Sequence, residues 1–339
     1  MLRRFFLLFL CTCVLLSGCV FSPEPTQYQR TYLTLFDTVT TITGQASDEQ
    51  AFQAAAEKIH SRLEEYHRLF DIYKDYPGLN NLKTVNDQAG IAPVKVDSAI
   101  ISLLLLCKDY HDLTGGRVNA AMGSVLALWH EARSASLDAP QSAHLPDADA
   151  LQEATKHTSW DAIIIDEEAC TVYISDPQTR LDVGAIAKGW AAEQAALDAP
   201  EGFLINLGGN VRATGAKDEN GTPWKVGIQN PRGEDYLHIL SLTKGSAVTS
   251  GDYQRTYTVD GKAYHHIIDP STGYPAEYWS SVTIVCEDSA LADALSTALF
   301  LMSREDGQAL LDRCNAEALW VDTQGQQFSS PGFHAMIQN

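Results

Sequence analysis

The sequence predicts an α+β fold, a largely antiparallel sheet with packed helices that forms one domain over residues 31–339. Three observations carry this. Apolar residues at helical spacing are interspersed along the chain with apolar runs of hairpin length. The regular strand–helix–strand succession of a doubly wound sheet is missing. The 339 residues, 45% hydrophobic and 20% charged, have the composition of an ordinary globular chain with length enough for a sizeable core.

Taken in order, residues 1–18 read as a signal peptide. Arg3 and Arg4 precede the apolar run Phe5–Leu16, which is too short to cross a bilayer comfortably. The run ends in Leu16-Ser17-Gly18-Cys19, which resembles the lipobox of bacterial lipoproteins, so Cys19 is the expected lipidation site and first mature residue. An ordinary secretory peptide or a short membrane anchor is the alternative. Residues 19–30, polar and carrying Pro23 and Pro25, suit a tether between a lipid anchor and a folded body.

Phe52, Ala55, Ile59, Leu63, Tyr66 and Phe70 recur at spacings of three and four, which predicts a helix over 48–70 with Ser47 or Asp48 as its cap. A second helix is expected from Asp97, its cap, to Leu113, with Gly115 and Gly116 ending it. Residues 132–149, with Pro140 and Pro146, read as a surface loop. Residues 163–165 and 171–174 form a hairpin, short strands follow at 203–206, 224–229, 238–243, 255–259 and 281–286, and helices at 184–197 and 289–302 complete the pattern.

Charge and cysteines narrow the function. Against 43 Asp and Glu stand 24 Lys and Arg, a net charge of −19, the wrong sign for neutralising a phosphate backbone, so nucleic acid is not an expected partner. Cys11 and Cys13 leave with the signal peptide. Cys107, Cys170, Cys286 and Cys314 show no CxxC spacing, so neither a zinc site nor a redox pair is indicated.

Chemistry is written in four places. The helix at 289–302 is apolar nearly all round, yet carries Asp293, and Thr297 lies one turn on along the same face. That pair offers a carboxylate and a hydroxyl to a hard cation; a structural carboxylate bonded to a cationic side chain or to amides is the alternative. At 181–189 a strand turns through Gly184 into a helix that carries Lys188, a corner that suits an anion or merely leaves the lysine solvated. Asn206–Asn210 contains a Gly-Gly turn that lets backbone approach a ligand. Finally, Thr249–Arg255 gathers hydroxyls, Asp252 and Arg255, and Tyr264–Pro275 places His265, His266 and Asp269 around a turn. Adjacent strand residues point to opposite faces, so one His of the pair enters a site and can take a proton from a hydroxyl.

Together these blocks resemble the ApbE-type family of FAD:protein FMN transferases. Five blocks match in order: Phe70-Asp-Ile-Tyr73; Leu181-Asp-Val-Gly-Ala-Ile-Ala-Lys-Gly-Trp190; Leu204-Ile-Asn-Leu-Gly-Gly-Asn-Val-Arg212; Thr249–Arg255 with His265–Pro275; and Asp293-Ala-Leu-Ser-Thr297. The resemblance spans about residues 31 to 325 and implies magnesium-dependent transfer of FMN from FAD to a threonine or serine hydroxyl of a target protein, with AMP leaving. It assigns magnesium to Asp293, Thr297, Ser296 and the main-chain carbonyl of Ala185. It assigns the flavin nucleotide to Phe36, Tyr73, Val118, Asn119, Asp182, Lys188, Arg255 and Ile267. Phe36 stands where many members have Met, Val118 and Asn119 where many have Phe-Asp, and Trp129 keeps the Trp of that block. His266 is expected to accept the proton of the target hydroxyl and Asp252 to orient that hydroxyl or the base, with Asp269 as a further orienting group and Arg255 for phosphate charge. Lipoprotein export agrees with members that act outside the cytoplasm on membrane-bound redox proteins, at the outer face of a cell membrane or on the periplasmic side. Two rivals share the motifs: a magnesium-dependent FAD pyrophosphatase and a non-catalytic flavin-binding lipoprotein.

Overall fold

The structure is a computed structural model that describes residues 26–338. The signal-peptide segment 1–18, Cys19 and the start of the tether lie outside the described residues. Strand Thr26–Leu35 opens the fold, so residues 26–30, expected in the tether, belong instead to the sheet, where alternate residues are half-covered.

One eight-stranded sheet organises the molecule. Its strands Thr26–Leu35, Thr38–Ala46, Phe203–Leu207, Asn210–Ala213, Gly245–Gly251, Trp279–Cys286, Glu317–Asp322 and Gln327–Ser329 lie side by side in chain order. Every neighbouring pair is antiparallel, as the sequence predicts. Strand Trp279–Cys286 is buried at every position, which is why its sequence is continuously apolar or small rather than alternating.

Between the second and third strands the chain leaves the sheet for residues 47–202. This excursion begins with helix α1, Glu49–Phe70, capped by Asp48, whose carboxylate accepts from Ala51 N. It continues through α2, Leu82–Asp87, and α3, Ser98–Leu113, capped by Asp97. Next come α4, Gly123–Asp138, the short α5, Ala148–Ala154, and α6, Ala187–Leu197. The expected loop over 132–149 is therefore helical at both ends. The hairpin at 163–174 forms, and its second strand also pairs with Val94–Lys95. Helix α7, Ser289–Phe300, follows strand Trp279–Cys286, and α8, Arg304–Leu311, follows α7.

Helices α1, α3, α6 and α7 cover one face of the sheet with the main core, in which Phe52, Leu63, Leu103, Cys107, Phe203 and Trp320 are buried. The hairpin Trp224–Gln229 and Tyr236–Leu242 covers the other face with Trp224, Leu240 and Phe333. A third cluster joins Val125 and Trp129 of α4 to Tyr257 and Ile268. Cys107, Cys170, Cys286 and Cys314 are all free thiols. Among the described residues no helix is long and apolar enough to cross a membrane.

Candidate active site

Helices α6 and α7 cross at Gly189, and this contact builds the centre of the site. A Cβ at Gly189 would lie 2.3 Å from Ser289 O and 2.5 Å from Asp293 Cβ, so only glycine allows the approach. The Gly189 amide then donates to Asp293 Oδ2 at 2.8 Å instead of to a carbonyl of its own helix. Among the described residues no backbone amide reaches the carbonyl of Ala185, the acceptor four residues back, and that residue lines the cavity.

Asp293 is 3% exposed. Burial pushes its carboxyl above the ordinary carboxylate range, against the pull of Lys188, whose Nζ stands 3.6 Å from Oδ1. Glu193 locks the crossing from behind. Its carboxylate takes Arg212 Nη2 at 2.9 Å and Arg212 Nε at 2.8 Å, and accepts the Ser289 amide at 2.9 Å at the start of α7. This buried pair ties α6, α7 and strand Asn210–Ala213 together.

A cavity of about 540 Å³ opens over this crossing. Tyr73, Val118, Asn119, Asp182, Ala185, Lys188, Arg255, His266, Ile267, Asp293 and Thr297 all line it, so the structure brings together residues scattered over more than two hundred positions. Asp182 is held by the Gly184 amide at 2.8 Å, and burial raises its pKa. Asn119 braces the wall, donating to Thr158 O and accepting from Ala121 N. On the opposite side the turn Gly208-Gly209 presses against Thr38, and a side chain at Gly208, whose φ is +61°, would collide with Thr38 Oγ1 at 2.1 Å.

Both histidines line the cavity, so the expected division onto opposite faces does not occur, because they lie past the end of strand Lys262–Tyr264 rather than within it; their hydrogen bonds set them apart. His265 uses both nitrogens internally, Nε2 to Ala276 O at 2.8 Å and Nδ1 accepting from Ile267 N. His266 has Nδ1 3.2 Å from Gln254 O. A carbonyl only accepts, so Nδ1 carries the proton and Nε2 keeps a free lone pair. Desolvation by the surrounding cavity walls, then Arg255 and Lys188, push the His266 pKa down to about 3, so the ring, though open to the cavity, is neutral.

Four expected residues sit elsewhere. Asp252 is not on the cavity wall; Arg232 grips it with two bonds of 2.8 and 2.6 Å and also donates to Ser280, which makes Asp252 an anchor for the 252–255 turn. The Ser296 hydroxyl is fully buried between Asp293 O and Ser250 Oγ, which occupies it structurally. Phe36 lines a smaller adjoining pocket of about 150 Å³ with His67 and Phe70. Asp269 holds its own turn through Ser271 and pairs with Arg117 at 3.4 Å. The face of α4 formed by Met122, Leu126, His130 and Arg133 lines the cavity and escaped the sequence reading; its spacing of four, four and three was the available signal.

The model of the ApbE family matches residues 36–320. The chain belongs to the ApbE family. Relatives include proteins named FAD:protein FMN transferase from Treponema pallidum, 35% identical over 279 residues that span 76% of this chain and 75% of the relative, and from Klebsiella pneumoniae, 33% identical over 269 residues that span 75% and 81%. The crystal structure of the ApbE protein of Thermotoga maritima superposes with a TM-score of 0.82 at 31% identity, covering 93% of this chain and all of that one. The fold is thus the ApbE fold.

The residues fit a hard cation. Among the described residues no three His, Cys, Asp or Glu side chains converge, so a metal here relies on one carboxylate and neutral oxygens. Asp293, the Thr297 hydroxyl and the carbonyl of Ala185 form such a set, and magnesium characteristically takes one or two carboxylates and fills the rest of its shell with water and substrate phosphate.

Proposed function

We propose that this ApbE-family chain is an FAD:protein FMN transferase that moves the FMN half of FAD onto a threonine or serine hydroxyl of another protein, releasing AMP. The observation that carries the reading is one cavity in which a buried carboxylate, Asp293, and a neutral imidazole with a free Nε2, His266, face the same space. The names of the Treponema pallidum and Klebsiella pneumoniae relatives support it.

The hydroxyl oxygen bonds to the phosphorus of the FMN half, the bridging P–O bond breaks, its electron pair leaves with AMP, and the hydroxyl proton passes to His266 Nε2. Gln254 O fixes the tautomer that makes this transfer available. Lys188 and Arg255 bring cationic charge to the pyrophosphate, and the negative substrate in turn favours the protonated imidazole that the transfer creates. Asp293, Thr297 and the carbonyl of Ala185 would hold magnesium, which when bound neutralises phosphate charge. The N-terminal Arg3, Arg4, apolar run and Cys19 support an exported, lipid-anchored protein on the outer face of a cell membrane or the periplasmic side. A flavin-accepting protein of a membrane redox complex is the partner that such an anchor suits.

The test mixes detergent-solubilised protein with FAD, magnesium and a candidate acceptor, beside samples with EDTA, without acceptor and with Asp293→Ala. Covalent flavin fluorescence is read on a denaturing gel, and AMP and FMN are quantified in solution. A fluorescent acceptor with stoichiometric AMP, lost with EDTA and in Asp293→Ala, is expected. Free FMN and AMP with every acceptor unlabelled would make the protein a pyrophosphatase, and tight FAD binding without AMP would make it a flavin carrier.

A further inference from the structure

We infer that α4 supplies one jaw of an aromatic clamp on a flat heterocycle of the substrate, with His130 as its gripping face opposite Tyr73. The inference rests on the reading that a flavin nucleotide occupies the cavity. Tyr73 and His130 come from the loop after α1 and from α4, yet their rings stack with centroids 4.9 Å apart and planes 30° from parallel. Both rings line the cavity.

The backbones behind them are fixed. The Asp71 carboxylate accepts from the amides of Tyr73 at 2.7 Å and Lys74 at 3.0 Å. His130 stands on a helix whose opposite face is buried, and the neighbouring Trp129 donates to Gly273 O at 2.8 Å, pinning α4 to the turn that follows His266. The contact therefore lies between two side chains on rigid supports. A third ring between them needs about 7 Å, two van der Waals contacts of about 3.5 Å each. Tyr73, 52% exposed, is free to swing and provide it, while His130 stays on its helix.

The chemistry of His130 suits the task. Burial and the Arg133 guanidinium, one turn further along α4, hold its pKa below the ordinary histidine value, so a neutral ring meets the heterocycle and no charge is buried by stacking. FAD carries two candidate rings, isoalloxazine and adenine, and the clamp recognises their shared planar π face.

FAD, FMN and AMP are titrated separately into wild-type protein and into His130→Ala, His130→Leu and His130→Phe. Leu keeps bulk without a π face, so a variant that folds is available even if Ala disturbs α4. FAD is expected to bind Ala and Leu about threefold to tenfold more weakly, with the same loss for either FMN or AMP, which identifies the gripped ring, while Phe stays within about twofold of wild type. In transfer assays KM rises and kcat holds, because the stack is equal in ground and transition states. Unchanged binding of all three ligands in Ala and Leu overturns the clamp, as does a Phe variant as weak as Ala, and both leave the transferase reading standing. Wild-type protein that binds none of the three refutes that reading and the clamp with it.

Discussion

Replacing Gly189 by alanine tests the helix crossing on which the site is built. The new methyl would meet Ser289 O at 2.3 Å, Asp293 Cβ at 2.5 Å and Ala290 Cα at 3.0 Å, and real Cβ contacts essentially never fall below 3.0 Å. Two of these atoms are backbone of the first turn of α7 and cannot rotate away, so α6 and α7 must part by roughly 0.7 Å. Alanine in a helix gains about 1 kcal/mol over glycine, but overpacking against two backbone atoms that cannot rotate away lies at the upper end of the usual range, about 2–3 kcal/mol, so the balance is a net loss of about 1–2 kcal/mol. At about 2–4 °C per kcal/mol, the sensitivity of large single domains, that corresponds to a fall in Tm of about 2–8 °C. The same movement lengthens the 2.8 Å bond from Gly189 N to Asp293 and shifts the carboxylate against Lys188. Displacements of this size at a reacting centre cost about tenfold to hundredfold in rate. Calorimetry gives the first number and gel-based flavin transfer the second. A Gly189→Ala protein with wild-type Tm and wild-type transfer would show that the crossing neither needs glycine nor positions Asp293.

Asp252→Asn is expected to lower Tm by about 1 kcal/mol equivalent through the loss of its charged pair with the half-exposed Arg232, while FMN transfer stays within about twofold of wild type; a hundredfold loss of kcat would return Asp252 to the chemistry. Because the His266 pKa is pushed down to about 3, kcat/KM for FAD should stay level as pH falls from 8 to 5, without the limb near 6.5 that an ordinary histidine base gives, and a clear limb there would refute the desolvation argument. His157 lies 2.6 Å from Asp176, which raises its pKa, so it adds stability that is complete below the unfolded value of about 6.5 and vanishes as pH rises through the folded pKa. The Tm gap between wild type and His157→Gln should accordingly narrow from pH 6 to pH 9.

What the sequence revealed followed from one-sided burial. Helix α1 showed its stripe because Phe52, Ile59, Leu63 and Tyr66 face the core while the other face meets water, and Asp48 and Asp97 announced their helices by capping them. Helix α4 was opaque because it has two working faces, Val125 toward a core, Leu126 and His130 toward the cavity and Trp129 touching both, and it starts at Gly123 without a side-chain cap. Of the site, Asp293 was legible because a carboxylate in an apolar helix demands a reason, Lys188 and His266 because each sits beside a turn that suits a ligand, and Asp182 only through the family resemblance. Asp252 misled because its sequence neighbourhood resembles a site, and its partner Arg232 lies twenty residues earlier in another turn, a pairing that only the fold makes. Ser296 misled because helical spacing puts it near Asp293 but cannot tell which hydroxyl is already bonded within the core.

The register that pairs Thr40 with Leu207 also sets a timetable for folding. Local hairpins on either side can form by themselves, but this pairing must gather in the entire excursion 47–202, and contacts between positions so remote in sequence form late. Tyr73, Asp182 and Lys188 ride on that excursion, whereas His266 and Asp293 belong to the chain beyond it. A ligand that touches both groups therefore meets a complete surface only after the last gate in assembly has shut, and by binding there it latches the longest closure in the chain.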